Sequence, residues 1–370
     1  MADPIMADYR TTADALLAWA RDRDYEGDDF YWKSRERYPM ALGYFLRAAC
    51  ALSLRYPHDA FYTQVVDELT SSILTRSNLS GRSRYHHWGL PFPWPTLGDT
   101  ENALSGDFCW DPDNPLFSGP LPAHSGYGVT TAIVGHGLID ALELNDDDEL
   151  REVIEQVGRW CVEDCGYRLI DDKVFFNYAP AMNHEIYNGS ALVAGFLSRA
   201  AKLLGNDDWA RLAASAMSFM SDVQDERGGW VYAKERQEIE YHYGYNLESL
   251  ALYHRATRDP SVLATIALGA DYYLDHLIDP DGRCYDNDEK LNETRLWAYG
   301  WAVSGLLLAA GAVGDGTYVA RARTIARYMM ENLWVEDVGA FRFKQDHEVF
   351  YMRDEAHAAY GMALLAVLEP

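Results

Sequence analysis

From about residue 125 onward, apolar and polar positions recur at helical spacing in two alternating kinds of segment. One kind is rich in Gly and Ala and apolar all round; the other carries apolar residues on one face only. The apolar segment 187–204 is followed by amphipathic 207–223, 243–255 by 260–277, and 295–311 by 318–333, and 353–368 closes the chain. The apolar segments start at Tyr187, Tyr243, Arg295 and Arg353, roughly 50–60 residues apart, which is the period of stacked supersecondary units. A helix apolar all round must be buried, and an amphipathic partner must cover it.

The punctuation agrees. Gly205-Asn206-Asp207, Asn145 through Asp148, Asp259-Pro260 and Gly314-Asp315-Gly316 are short turns with cap residues, each leading from an apolar to an amphipathic helix. Connections in the other direction are longer. They read Gly228-Gly229-Trp230-Val231-Tyr232, Gly282-Arg283-Cys284-Tyr285 and Gly339-Ala340-Phe341-Arg342-Phe343, with 171–177 as a fourth, and predict short β-ribbons. Helices over 11–21, 39–54, 59–76 and 128–144 complete about twelve. The expectation is an all-α fold, an (α/α)6 toroid with β-ribbons in its rim loops, in a single domain over 1–370. The stretch at about 77–125 has no helical period. A loop of that length is functional or disordered, and its aromatic content argues against disorder.

Composition narrows the function. Net charge is −25, and of 32 basic residues only six are lysine. An acidic, lysine-poor surface predicts a protein solvated in concentrated salt, and it argues against nucleic acid, which is gripped by dense Lys/Arg contacts. The N-terminal residues lack the pattern of a signal peptide. The apolar run near 302–313 falls short of the ~20 residues of a membrane span. The expected location is cytoplasmic. Five cysteines without metal spacing read as reduced thiols. Neither a phosphate-cradling Gly loop nor a metal-ligand spacing is present, so no cofactor and no metal is expected.

The long connections all end at the starts of apolar helices, so they gather on one rim where six helix N-termini converge. Positive dipole ends and open N–H donors there would suit carboxylates or phosphates. At each of these starts a carboxylate, an aromatic and a His or Arg lie close together: Asn183-His184-Glu185-Ile186-Tyr187-Asn188, Glu240-Tyr241-His242-Tyr243-Gly244-Tyr245-Asn246, Asn292-Glu293-Thr294-Arg295-Leu296-Trp297, and Tyr351-Met352-Arg353-Asp354-Glu355-Ala356-His357. Aromatic faces interleaved with polar groups grip sugars, and carboxylates in such a pocket gain raised pKa values and can donate protons. The candidate catalytic residues are Glu185, His242, Tyr243, Asp354 and Glu355. Candidate substrate-binding residues are Arg84, His87, Trp88 and Trp110 of the long loop, with His184, Tyr187, Asn188, Tyr241, Tyr245, Asn246, Arg295, Trp297, Arg353 and His357. Each has a plainer reading: the acids cap helices, the arginines pair between helices, the tyrosines pack. A lone His136 within 128–144 reads as a core histidine. Recurrence of the same chemistry at the same position raises the set above its members.

On these residues the chain resembles the six-hairpin carbohydrate-active enzymes: unsaturated glucuronyl hydrolases, acylglucosamine epimerases, alginate-type lyases and the helical domain of glucuronyl C5-epimerases. Glu240 through Leu247 is similar to an acidic-aromatic-histidine segment of the last of these, and the acidic composition resembles haloarchaeal toroids of N-glycosylation clusters. The resemblance implies action on a hexuronic or carrier-linked sugar in surface-glycan assembly, with the family's tyrosines and acid carried over to Tyr241, Tyr243 and Glu185 or Glu355. Three functions remain open. The first is a sugar epimerase or isomerase, with Arg295, Arg353 or His242 holding an anionic substrate. The second is a glycoside hydrolase or lyase using Glu185 with Asp354 or Glu355. The third is a non-catalytic glycan-binding toroid.

Overall fold

The computed structural model describes residues 8–29, 32–78, 83–92, 122–180, 182, 184–234 and 237–369. The segment from 93 to 121 thus lies outside the described residues, and with it Trp110 and Cys109. Among the described residues, six inner helices form a closed ring: α2 (Pro39–Arg55), α4 (Gly128–Leu144), α6 (Tyr187–Leu204), α8 (Tyr243–Thr257), α10 (Leu296–Val313) and α12 (Met352–Leu368). Each packs on the next, and α12 packs back on α2. Outside them lie α3 (Ala60–Thr75), α5 (Asp148–Arg159), α7 (Asp207–Asp222), α9 (Leu263–Tyr272) and α11 (Gly316–Asn332). The outer partner of α12 is α1 (Tyr9–Arg21), so the first helix covers the last and the two ends of the chain complete one hairpin. This is the (α/α)6 toroid that the hydrophobic pattern predicts.

The outer helix expected over 260–277 is broken into a 3₁₀ turn (Pro260–Val262), α9 and a π turn (Tyr273–Leu277). Among the described residues, three antiparallel ribbons decorate the rim: β1 (Gly27–Asp29) with β2 (Trp32–Glu36), β3 (Tyr167–Ile170) with β4 (Lys173–Phe176), and β5 (Trp334–Val335) with β6 (Ala340–Phe341). The first of these was not legible in the sequence pattern. The loops beginning at Gly228 and Gly282 form isolated bridges instead of ladders, among them Ile186 with Ala233 and Ile278 with Cys284. Cys50, Cys161, Cys165 and Cys284 are free and buried.

Small residues let the inner helices approach closely. A Cβ on Gly300 would lie 2.5 Å from the backbone of His357, and one on Gly244 would lie 2.7 Å from Trp301 Cβ. Both contacts hold α8, α10 and α12 together near their N-terminal ends. By length and composition α10 could cross a bilayer, a stronger signal than the run near 302–313 suggested. In this fold it is ring wall, with 78% of the helix buried.

The two ends of the toroid start their helices differently. Outer helices begin under side-chain caps: Asp8 accepts from Thr11 N, Asp59 from Phe61 N, Asp147 from Glu149 N, Asn206 from Trp209 N and Asp315 from Thr317 N. No inner helix has a side-chain cap. Their entry N–H groups go to carbonyls of the neighbouring rim loop: Gly128 N to Tyr178 O, Tyr187 N to Tyr232 O, Tyr241 N to Asp286 O and Leu296 N to Phe343 O, at 2.8–3.1 Å. One entry N–H is thus taken at four of the six inner helices, while α2 and α12 show no such bond among the described residues, so the expected open donors are reduced in number and not abolished.

Candidate active site

All six inner helices contribute to one axial cavity at the rim end. Met40 comes from α2, Val129 and Thr130 from α4, Asn188 from α6, Tyr245 from α8, Trp297 and Trp301 from α10, and Arg353 from α12. Rim residues Leu90, Tyr127, Tyr178, Tyr232, Tyr241 and His242 complete the wall around about 70 Å³ of open space. The ring topology explains the convergence, because the first turns of six parallel inner helices surround one axis and the residues on their inward faces meet there.

Trp297 and Trp301, four residues apart, stack with ring centres 4.8 Å apart, and Tyr245 lies 3.8 Å from Trp301. Both His242 and His357 flank these indoles, within 5.0–6.0 Å of each. Four buried polar atoms on the cavity wall have no hydrogen-bond partner among the described residues: Tyr127 OH, Asn188 Oδ1, Trp297 Nε1 and Trp301 Nε1. Asn246 Oδ1 is in the same condition in an adjoining hollow that it shares with Glu240 and His242. Buried donors and acceptors are normally paired, so these neutral groups leave the cavity wall able to bond a polar, uncharged molecule.

Two hydrogen-bonded histidine couples border the space. His242 Nδ1 is bonded to Glu240 Oε1, and Glu240 is buried. That bond fixes the proton on Nδ1 and makes Nε2 the basic nitrogen. Below, His357 Nδ1 donates to Arg353 O at 2.6 Å, so its Nε2 accepts from Tyr245 OH at 3.3 Å. Burial, helped by Arg353, Arg47 and Arg295, holds the His357 pKa well below its ordinary value, so this imidazole is neutral. Burial also pushes the Tyr245 phenol well above its usual range, partly opposed by Arg353.

The arginines of the rim are compensated. Arg353 reaches Asp29 with Nε at 2.9 Å and Nη2 at 3.0 Å, and its guanidinium stacks 4.2 Å from the Trp297 ring centre. Arg295 stacks on the same indole at 4.1 Å and donates to Tyr241 OH at 2.6 Å. Asp354 accepts from Trp297 N at 3.3 Å, and burial raises its carboxyl to about 6 despite Arg353 and Arg295. Glu355 turns outward instead, accepting from Phe341 N at 3.1 Å of the last ribbon, with its pKa raised well above normal by burial. Neither acid lines the cavity.

Other sequence candidates lie elsewhere. Glu185 pairs with Lys234 at 3.1 Å and lies 3.9 Å from Arg168; half-buried His184 precedes it. Tyr243 donates to Gly228 O and packs against Trp230, Tyr272 and Tyr273 in the wall between α8 and its outer partner. Tyr187 packs against Phe175 and Phe219. Trp88 is core, its Nε1 donating to Ile73 O at 3.0 Å, and His87 stacks on Trp160 at 4.9 Å. Arg84 is exposed near Glu163. His136 is buried beside Arg199. The structure therefore brings together Asn188, Tyr241, His242, Tyr245, Trp297, Arg353 and, one layer down, His357. It adds Trp301, Tyr127, Tyr178, Thr130 and Asp29. Trp301 carries a signal that could have found it, its spacing of four from Trp297.

No family model and no curated protein matches the sequence. Solved structures match the fold over nearly the whole chain. The GH76 α-mannanase BT2949 of Bacteroides thetaiotaomicron is 10% identical, with a TM-score of 0.67 over 97% of this chain and 95% of its own. Cellobiose 2-epimerase of Bacillus thermoamylovorans is 11% identical, at 0.68 over 96% and 97%. A possible GH105 member from Salmonella enterica is 8% identical, at 0.71 over 99% and 96%. The chain thus has the six-hairpin toroid fold shared by carbohydrate-active enzymes that include both hydrolases and an epimerase. At such identities the likeness establishes the fold and leaves the reaction to the site.

Proposed function

We propose that the protein is a sugar epimerase or isomerase that moves a proton at a carbon next to a carbonyl. The observation that carries this reading is the cavity wall itself: unpaired neutral hydrogen-bonding atoms beside two histidine-based couples, and no Asp or Glu lining it among the described residues. A retaining or inverting glycosidase needs two carboxylates flanking the bond. Glu240 lies next door, tied to His242, and Glu185, Asp354 and Glu355 are engaged away from the cavity.

The sugar's apolar faces lie on Trp297 and Trp301, and its hydroxyls satisfy Tyr127, Asn188 and the indole N–H groups. His242 Nε2, oriented by Glu240, removes the proton from the carbon next to the open-chain carbonyl. The electron pair moves to the carbonyl oxygen, and the resulting enediolate is met by the neutral unpaired donors of the cavity wall. Return of a proton to the opposite face of the same carbon gives the epimer, and to the neighbouring carbon the ketose. Tyr245, backed by His357, is the group suited to that return. A carboxylate on the sugar would find Arg353 already held by Asp29, which favours an uncharged ring in the cavity over a hexuronic one.

Incubation in high salt with glucose, mannose, cellobiose and mannobiose, followed by chromatography, tests the reading. An epimer or ketose of unchanged mass is expected. Release of monosaccharides from the disaccharides would replace it with hydrolysis, and binding without any product would leave a glycan-binding toroid.

A further inference from the structure

A second cleft adjoins the axial cavity and carries a different charge. Arg35 and Arg37 at the end of β2, Arg76 after α3, and His124 line an opening of about 430 Å³. Its wall is shared with the sugar cavity residue by residue. Pro39 faces the cleft and Met40 the cavity; Gly89 and Pro91 face the cleft and Leu90 the cavity.

Within the cleft, Arg37 Nη1 and Arg76 Nη1 converge on Ser72 Oγ, at 3.5 and 3.1 Å. Arg37 is compensated by Asp24 and by Glu26 at 3.8 Å. Arg76 is not. Its bonds go to Ser72 O, Ser72 Oγ and Thr75 Oγ1, and neither it nor the exposed Arg35 has a carboxylate partner among the described residues. After burial, the nearness of Arg76 is what lowers the Arg37 pKa. A chain with 57 acidic residues has carboxylates to spare for such guanidinium groups, yet this cleft leaves two without one. Glu26, which lies 3.8 Å from Arg37, and Glu36 also line it, so the lining sets three guanidinium groups against two carboxylates. Guanidinium forks match phosphate oxygens in geometry as well as charge.

The geometry points to this cleft as the binding site of a phosphate or diphosphate group. Taken with the proposed sugar chemistry next door, on which this second step rests, the substrate is a phosphate-bearing sugar whose ring enters the cavity while its anion lies across the Met40–Leu90 wall. The anionic character expected from the sequence then belongs to the cleft and not to the helix ends.

The full-length protein is titrated calorimetrically with inorganic pyrophosphate, at the lowest salt that keeps it folded, since screening weakens exposed charge pairs. Arg76→Gln and Arg35→Gln should each weaken binding by about tenfold. Arg84→Gln makes the same charge change on the exposed rim near Glu163 and should leave affinity unaltered, with circular dichroism matching across all variants. No heat from pyrophosphate, or equal weakening by all three substitutions, would overturn the site. Glucose 6-phosphate and UDP-glucose test the link to the cavity. Tighter binding of glucose 6-phosphate, whose anomeric carbon opens to the carbonyl the proposed chemistry needs, assigns a phosphorylated free sugar; preference for UDP-glucose, whose anomeric carbon is locked in its bond to the diphosphate, would sustain the anion site and contradict the open-chain chemistry. Phosphate binding without conversion of any sugar would sustain the cleft and sink the epimerase reading; conversion without phosphate binding would do the reverse.

Discussion

The two ends of this toroid use polar groups in opposite ways. Towards the closed end, charge is buried and saturated. Arg47 bonds to Glu248, to Tyr360 OH at 2.7 Å and to Asp140 at 3.2 Å, while Arg199 bonds to Asp140 at 2.6 Å and Glu143 at 3.2 Å. At the open end, beside the paired Arg353–Asp29 and His242–Glu240, the axial cavity gathers neutral groups without a partner among the described residues: Asn188, Tyr127 and both indoles of α10. Saturated networks hold a structure; unsaturated ones cost stability and persist where a ligand completes them. The difference separates architecture from site without reference to any relative.

The sharpest way to break the comparison is to remove charge at the closed end. Glu248→Ala leaves the buried Arg47 guanidinium with only the partly exposed Asp140 as a carboxylate partner and should cost about 3 kcal/mol, read from the urea midpoint at constant m-value. A smaller loss would mean that the network is not the scaffold described here. At the open end, His242→Ala should lower turnover by about 10²–10⁴-fold while costing at most about 2 kcal/mol, the penalty of leaving Glu240 without its partner. A large loss of stability with activity preserved would reverse the two ends' roles.

Asp354 sharpens the comparison through pH. Its folded pKa, about 6, lies above its unfolded value, so the native state binds the extra proton. Its contribution is therefore fully present at low pH and is lost as pH rises towards 6. Relative to Asp354→Asn, the wild type should lose about 2 kcal/mol between pH 4 and pH 7. A flat difference curve would mean that the carboxylate is solvated or better paired than its single bond to Trp297 N indicates. The smallest effect is expected at Glu185. Its pair with exposed Lys234 is worth less than about 1 kcal/mol, and Glu185→Gln should leave turnover nearly unchanged. A collapse of activity there would restore a carboxylate mechanism.

The inner and outer helices were legible because each end of the problem is local. An apolar stripe of period 3.6 reports burial directly, and the Asp and Asn caps of α5, α7 and α11 stand in the sequence beside the helices they start. The inner helix starts could not be read in the same way. Their capping carbonyls come from the next rim loop, some 45 to 50 residues away, as with Tyr232 O at Tyr187 N and Phe343 O at Leu296 N. For the same reason the acids at those starts were over-read. Asp354 and Glu355 look identical in sequence, yet one faces a backbone N–H of α10 and the other a rim ribbon. Tyr243 and Tyr245 differ by two residues and hence by opposite sides of one helix, so only Tyr245 reaches the axis. Asp29 lay in a segment without helical period, and its partner Arg353 is more than three hundred residues distant.

The most direct test of the central claim is to incubate the protein in D₂O with reducing hexoses and disaccharides and to locate deuterium by NMR. Deuterium at the carbon next to the anomeric centre, absent with His242→Ala, is the result this account predicts. Conversion or cleavage with no carbon-bound deuterium would contradict it.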